Sequence, residues 1–306
     1  MTLLLPFTSE FMVRALVGGT LVAAVCAVVG TWVVVRGMAF LGEAISHGML
    51  PGVAIATLLG IPPLWGAAVS GAAMSAAIGL LQRRGRLSYD TSIGLLFVGM
   101  LSLGVIIVSH SRSFATDATT MLFGDILAVG WSDVLILATT LAVVATIAAV
   151  FHRSFVAATF DPRIAHTLGL RPHLAHTLLT TLVTVAVIAS YQSVGTLLVV
   201  GMLLAPAVAA GRWTRSIPTT MALAAAFGIA AVVIGLTVSW HAATAAGPTI
   251  ACTAIVLAAA SALTSTAVHR TRTRNARHVP AHPAAPAPIP LPAEAITSAA
   301  PRTESN

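Results

Sequence analysis

The sequence predicts an all-α membrane protein, a bundle of eight or nine transmembrane helices. Of its 306 residues, 57% are hydrophobic and only 8% are charged, whereas soluble chains carry roughly a quarter charged residues. So few charges could not cover the surface of a soluble protein of this size, and the apolar content is far too high for a disordered chain. The third observation is that long uncharged runs recur along the chain, and a bilayer needs about 20 mostly apolar residues per helix.

The uncharged runs divide into spans at breaks rich in Gly and Pro. Three runs are too long for one helix, and they break at residues 60–63 (Gly-Ile-Pro-Pro), 191–195 (Tyr-Gln-Ser-Val-Gly) and 239–248. If residues 37–60 are a re-entrant segment, the count is eight instead of nine. The predicted spans, in chain order, are about residues 11–35, 37–60, 62–82, 92–108, 132–151, 173–190, 193–211, 217–240 and 247–267.

The composition divides the chain into three parts. Residues 1–10 form an N-terminal segment, and residues 11–268 form the transmembrane domain, in which many small residues favour close helix packing. Residues 269–306 hold seven of the 16 prolines, and such a segment cannot bury a core. We expect a disordered tail, and favour a plain tail over a Pro-rich ligand for a partner.

The basic residues mark one side of the membrane. All 16 are arginine, and the net charge is +7, which in a soluble protein would suggest nucleic acid. In a membrane protein the positive-inside rule explains them, so we expect no nucleic-acid partner and assign their side to the cytoplasm. Nine spans place the N-terminus outside, and eight place it inside. The clusters are Arg83, Arg84 and Arg86; Arg153, Arg163 and Arg171; Arg212 and Arg215; and the arginines of the tail.

Glu43 is the only carboxylate inside an apolar run that is assigned to a span. Ionisable groups at such positions are costly and often functional. His47 follows at i+4, on the same face of a helix. A carboxylate oxygen with an imidazole nitrogen suits zinc, manganese or iron, although the two groups could also simply satisfy each other. Pro51 is then expected to break the helix, at a depth where transporters often open their helices.

His241 lies in the break between the last two predicted spans, on the outer side. It could supply a further metal ligand, or it could be an ordinary loop residue.

Residues 161–171, DPRIAHTLGLR, predict a short polar helix that faces the cytoplasm. Asp161 is a good N-cap, the following proline fits the first turn, and Gly169 is a natural end. The segment could dock a partner or merely connect two spans.

The chain carries no sequence signature of an autonomous enzyme or motor. It has no P-loop, so it cannot use ATP by itself, and it has neither an H-E-x-x-H motif nor a Gly-x-Ser-x-Gly nucleophile elbow. We therefore expect a transporter subunit and no enzyme. The alternative, a secondary transporter driven by an ion gradient, would need more intramembrane ionisable groups and usually an internal repeat.

Four stretches, in order, resemble the permeases of metal-type ABC importers, the zinc, manganese and iron uptake systems of bacteria. They are VVVRGMAFLGEAISHGMLPGVAIATLLG (33–60), RRGRLSYDTSIGLLF (83–97), LFGDILAVGWSD (122–133) and SVGTLLVVGMLLAPAVAA (193–210), the last followed by GPTIA (247–251). The resemblance covers roughly residues 10–267. Together these stretches are specific, although each alone would be weak.

The resemblance implies a bacterial plasma-membrane complex. The chain would import divalent metal or a metal chelate as one copy of a homodimer, with a cytosolic ABC ATPase and an external metal-binding lipoprotein, and it would hold no permanent cofactor. Glu43, where the family usually has Asp, and His47 match positions near the metal path. Within 161–171, the ATPase-coupling residues would be Asp161, Arg163, Ala165 and Gly169. The structural motif residues would be Pro51, Gly52, Gly195, Pro206, Gly247 and Pro248. One departure is that no carboxylate occurs between Asp161 and Glu294.

Overall fold

Ten α-helices and one short 3-10 helix make up the part of the chain that the structure describes. The computed structural model describes residues 9–83, 88–109, 124–160 and 172–276. Within these ranges there is no β-strand, so the predicted all-α class is confirmed. The helices are α1 (Glu10–Val35), α2 (Ala39–Gly48), α3 (Leu50–Leu58), α4 (Pro63–Arg83), α5 (Tyr89–Ser109), the 3-10 helix (Ile126–Ala128), α6 (Trp131–Val150), α7 (His152–Phe160), α8 (Pro172–Gly211), α9 (Ile217–Ala242) and α10 (Ala246–Ala276).

Nine helical segments of the described residues are long and apolar enough to cross a bilayer. The second of them, Ala39–Leu58, is not one regular helix, because it consists of α2 and α3, which have 10 and 9 residues. Each is only about 15 Å long, and a bilayer core is about 30 Å thick, so only the pair spans it. The interruption falls at Met49, and Pro51 has no N–H to donate to the carbonyl of His47.

The predicted break at residues 191–195 is confirmed inside α8. Gly195 has φ 74° and ψ 166°, which separates the halves Leu174–Tyr191 and Ser193–Gly211. Gly124, just before the 3-10 helix, lies against this point, and a Cβ on it would overlap the backbone of Gly195 and its neighbour. The break is therefore packed against the connection that leads into α6.

The break between the last two spans is also confirmed. α9 ends at Ala242, and Ala243 adopts a left-handed conformation with φ 51°. α10 begins at Ala246, with Gly247 and Pro248 in its first turn, where the missing N–H of proline costs nothing.

The central helix α1 sets the directions of its neighbours. It runs parallel to the second half of α8, because Cys26 contacts the Val199 carbonyl and Gly30 lies against Leu203. α9 runs antiparallel to α1: Gly19 meets Val232 near one end, and the Phe11 and Trp240 rings are 6.2 Å apart still closer to that end. More than half of the α1 span is buried, as are the second span and both halves of α8.

The two ends of the bundle differ in composition. Arg36, Arg153, Arg212 and Arg215 lie at one end, which we call the arginine end. The positive-inside rule assigns this end to the cytoplasm. Three exposed tryptophans lie at the opposite ends of their helices, and a fourth, Trp213, lies at the arginine end, since aromatic side chains suit both surfaces of a membrane; the three are Trp65, Trp131 and Trp240. Nine spans with the last helix ending inside place the start of α1 outside.

Two regions differ from the sequence-based expectation. α7 follows α6 after the single turn residue Phe151, where no helix was predicted. α10 continues to Ala276, past the predicted domain boundary at 268, because its last two turns hold Arg, Thr and Ala and no proline. The chain divides into the units Met1–Ser265 and Thr266–Asn306. Of the predicted disordered tail, residues 277–306 lie outside the described residues.

We predict that Gly30→Ala destabilises the protein by about 1–3 kcal/mol or more, the usual cost of overpacking. A Cβ at position 30 would overlap the carbonyl oxygen of Leu203, a backbone atom that cannot rotate away. The measurement is the thermal unfolding midpoint of the purified protein in detergent. Gly79→Ala is the matched control, since nothing lies within 4 Å of a Cβ added there, and it should unfold no earlier than the wild type. Equal midpoints for the two variants would contradict the close packing of α1 on α8.

We predict opposite accessibility for the two ends of α9. In a chain whose natural cysteines, Cys26 and Cys252, are replaced by alanine, Ala245→Cys should react with a membrane-impermeant maleimide in intact cells. Ser216→Cys should react only after permeabilisation, because it adjoins the arginine end. The reverse pattern would show that the orientation is inverted.

Candidate metal-transit site

Glu43 and His47 face each other on consecutive turns of α2. The Glu43 Oε1 atom is 2.9 Å from His47 Nε2, the i,i+4 geometry that the sequence predicted. The Glu43 side chain is 36% exposed, and the His47 side chain is 15% exposed. The other carboxylates of the described residues lie in the first turn of a helix or, at Asp125, cap one. Glu43 alone among them lies deeper in a helix.

The surroundings of the pair fix the imidazole of His47. The Phe97 ring of α5 packs against it edge to face, with the ring centroids 5.5 Å apart. Its Nδ1 atom is buried and has no hydrogen-bond partner among the described residues. A carboxylate oxygen accepts, so the Nε2–H of the imidazole donates to Glu43. The ring therefore has one polar contact and one nitrogen that no group of the described residues satisfies.

The pair lies in the half of the membrane nearer the arginine end. α2 starts there, three residues after Arg36, and Glu43 is the fifth and His47 the ninth residue of the helix. At about 1.5 Å per residue, these positions are roughly 6 and 12 Å along a span of about 30 Å. The break at Met49 follows directly, so the pair occupies the end of a discontinuous helix.

Close packing holds the helix just beyond the pair. The Gly48 carbonyl accepts a hydrogen bond of 2.7 Å from Ser70 Oγ of α4. Gly52 and Gly66 lie backbone to backbone, so that a Cβ on either would overlap the carbonyl of the other. On the other side, Gly104 of α5 approaches Pro51. The motif residues Pro51 and Gly52 therefore anchor α3 between α4 and α5.

The remaining motif residues lie away from the pair. Gly195 forms the break in α8, and Pro206 lies buried in its second half. Gly247 and Pro248 start α10 near the outer end. All these positions shape the backbone, and none supplies a charged side chain.

His241 lies in the last turn of α9 at the outer end, beside Trp240, which contacts Phe11. It is exposed, and its Nδ1 is 2.8 Å from the carbonyl of Thr237 on its own helix. The structure does not bring it to Glu43 and His47, and within the described ranges no three His, Cys, Asp or Glu side chains group closely enough to hold a metal ion.

A groove of about 740 Å³ lies between α4 and the first half of α8. Its lining includes Gln82, His176 and the hydroxyls of Thr177, Thr181 and Thr184. Neither Glu43 nor His47 lines it, so it is separate from the candidate pair.

The predicted docking residues Asp161, Arg163, Ala165 and Gly169 lie outside the described residues. The helix that leads into them, α7, is described, and its Phe155 is fully buried against Trp32 of α1. Arg36 donates from Nε to Thr159 Oγ1 of α7, over 2.9 Å. Burial lowers the pKa of the Arg36 guanidinium. The sequence does not reveal this contact, because an arginine that follows an apolar run also fits the role of a topology marker.

Comparison with known proteins identifies a family. A model of the ABC 3 transport family matches residues 8–265, nearly the whole membrane domain. The manganese transport system membrane protein MntC of Listeria monocytogenes is 36% identical over 76% of this chain and 82% of its own length. The chelated iron transport system membrane protein YfeD of Yersinia pestis is 33% identical over 80% of this chain and 82% of its own.

This chain is also similar to a chain of a solved structure. PsaBC from Streptococcus pneumoniae, determined in complex with Fab, has a chain that is 34% identical to this one and superposes with a TM-score of 0.74. The match covers 83% of this chain and 91% of that chain. The fold and the sequence thus point to the same kind of protein.

Proposed function

The chain belongs to the ABC 3 transport family, and we propose that it is the permease through which a divalent transition metal ion, or its chelate, enters the cell. As a multi-pass membrane component of an ABC transporter it does no bond-breaking chemistry of its own. Its partners are an ATPase and a substrate-binding protein. Family membership also decides against a secondary transporter driven by an ion gradient.

The Glu43–His47 pair carries the proposal. One carboxylate oxygen and one imidazole nitrogen lie 2.9 Å apart inside a membrane span, where an unused carboxylate would be costly. Carboxylates suit manganese, magnesium and calcium alike, whereas imidazoles suit iron and zinc, so it is the imidazole of the pair that favours transition metals over calcium or magnesium. The relatives named for manganese and chelated iron support the same class. The metal is cargo, and no resident cofactor is proposed.

The Glu43–His47 pair is suited to weak, transient binding of a metal ion more than to tight binding. A metal-bound imidazole usually donates its other N–H to a carboxylate, carbonyl or water, and this raises affinity. If His47 bound a metal through Nε2, its proton would sit on Nδ1, which no described protein group accepts. Two ligands without that support bind weakly. In a homodimer the pair would occur twice, and we propose that the two copies enclose one path.

The remaining partners follow from the two ends of the bundle. At the arginine end, Asp161, Arg163, Ala165 and Gly169 are proposed to contact the cytosolic ATPase. At the outer end, an external metal-binding lipoprotein would deliver the ion. His241 is proposed as a further ligand on this entry side, separate from the pair.

We predict that Glu43→Ala and His47→Ala each reduce metal uptake more than about tenfold, since even supporting residues of metal sites contribute that much. Uptake of radioactive manganese, iron and zinc is measured in a deletion strain complemented with each variant, at matched protein levels. Glu10→Ala is the control, because Glu10 forms a similar i,i+4 pair with Arg14 but is 75% exposed at the outer end. It should transport normally. Wild-type uptake by both pair variants would rule out the transit role.

We predict that Gly169→Pro and Arg163→Ala weaken recovery of the ATPase with the purified permease by about tenfold, the usual effect of a central interface residue. The measurement is co-purification from membranes that contain the whole complex. Arg215→Ala serves as the control, because Arg215 is an exposed arginine at the same end outside residues 161–171. Equal recovery for all three would contradict docking at this segment.

A further inference from the structure

Arg36 stands at a hydrogen-bonded corner between α1 and α2. Its own N–H donates to the Trp32 carbonyl, Gly37 N–H donates to Val34, and Met38 N–H donates to Val33. Gly37 has φ 66°, a conformation that glycine adopts without strain. The corner is closed by hydrogen bonds, so α1 and α2 cannot move at this point without moving Arg36.

The Arg36 side chain joins this corner to α7. Its Nε donates to Thr159 Oγ1 over 2.9 Å, and its Nη2 donates to the Phe155 carbonyl over 3.5 Å. Thr159 Oγ1 itself donates to the same Phe155 carbonyl over 2.6 Å. The edge of the Trp32 ring packs on Phe155, with centroids 5.4 Å apart. One charged side chain and one aromatic contact thus hold α7 to the end of α1 and to the corner that precedes α2.

The opposite end of α2 is fixed to a different part of the protein. The Gly48 carbonyl is bonded to Ser70 of α4, and the helix is interrupted at Met49. α2 is therefore a ten-residue rod with a break at one end and the Arg36 corner at the other. Glu43 and His47 lie on the rod between them.

We propose that Arg36 is a positioning residue that transmits movement of α7 to α2 and thereby to the Glu43–His47 pair. The proposal rests on the ATPase contact proposed above, because α7 ends at Phe160 and the docking segment begins at the next residue. When the ATPase displaces residues 161–171, it also displaces α7. The Arg36 guanidinium, which is bonded to α7, then transmits this displacement to the corner between α1 and α2. α2 then turns about the break at Met49, while α3 stays locked to α4.

Arginine suits this role better than lysine. Its planar guanidinium donates to Thr159 and to the Phe155 carbonyl at once. A lysine ammonium would keep the charge but not the fixed two-point geometry. If Arg36 had only a structural role, it would hold α7 in place, but the motion of α2 would not depend on nucleotide.

The test is hydrogen–deuterium exchange of the complete complex in nanodiscs, without nucleotide and with ATP trapped by a slowly hydrolysed analogue. In the wild type, we expect the exchange of α2 amides to differ between the two states. In Arg36→Ala the difference in α2 should be lost, while the difference in α7 and residues 161–171 remains. Thr159→Val, which removes one acceptor, should reduce the difference in α2, and Arg36→Lys should fall between them.

Trp213→Phe is the matched control. Trp213 Nε1 donates to Ser261 Oγ over 2.8 Å at the same end of the bundle, but this contact joins the end of α8 to α10 and does not involve α2. Its nucleotide-dependent exchange in α2 should equal that of the wild type. The proposal is overturned if wild-type α2 shows no such difference, if Arg36→Ala retains it, or if Arg36→Ala loses it in α2 and α7 together.

A second experiment measures metal transport and ATP hydrolysis by the same complex after reconstitution into vesicles. Arg36→Ala should keep ATP hydrolysis within about twofold but lower the metal moved per ATP by about tenfold, the change in an equilibrium that one charged hydrogen bond can produce. Equal losses of hydrolysis and transport would indicate a structural role and overturn the proposal. If the wild type hydrolyses ATP but moves no metal, the proposed cargo is wrong, and the exchange arm still decides the role of Arg36.

Discussion

At Gly30 the backbone of α1 lies against the Leu203 carbonyl of α8, and at Gly52 the backbone of α3 lies against that of α4. Lipid offers helices no hydrophobic drive to associate, so they hold together by packing, and backbones come this close only where a side chain is absent. These contacts create two closely packed blocks, one around α1, α8 and α9 and one around α3 and α4. Every other feature of the fold is placed relative to them.

α2 lies between the two blocks and belongs to a span that is interrupted at Met49. A helix may end inside the bilayer only where protein or a water-filled cavity surrounds its free backbone groups, and the Ala39–Leu58 span is mostly buried. The interruption at Met49 is therefore tolerated because protein surrounds this span. It is also here that the chain places its one described carboxylate deep in a helix, so the interrupted helix and the costly charge share one location.

The sequence was sufficient where local chemistry decides the structure. The Gly195 break, the break before Gly247 and Pro248 and the spacing of Glu43 and His47 follow from residue types within a few positions, whereas the left-handed conformation of Ala243 does not. The interruption at Met49 is also local in origin, because Pro51, two residues on, has no N–H to donate to the His47 carbonyl. α7 was missed, because residues 152–160 mix apolar and polar side chains without a long apolar run, and their helix is stabilised by Trp32 and Arg36 far away in the chain. Contacts between distant segments leave no local pattern to find.

The scarcity of ligands around Glu43 is consistent with the rest of the structure. An ion that must leave toward the cytoplasm in every cycle cannot be held by a complete ligand set, since tight binding would slow its release. Within the described ranges His47 lacks a partner for Nδ1, and no third metal-ligating side chain joins the pair, so in the proposed role the metal would be held by two groups on a single short helix. A small rotation of that helix would move both groups together. In the proposed cycle such a weak pair would need only one firm connection between α2 and the ATPase-contacting segment, and the side chain in position to make it is Arg36.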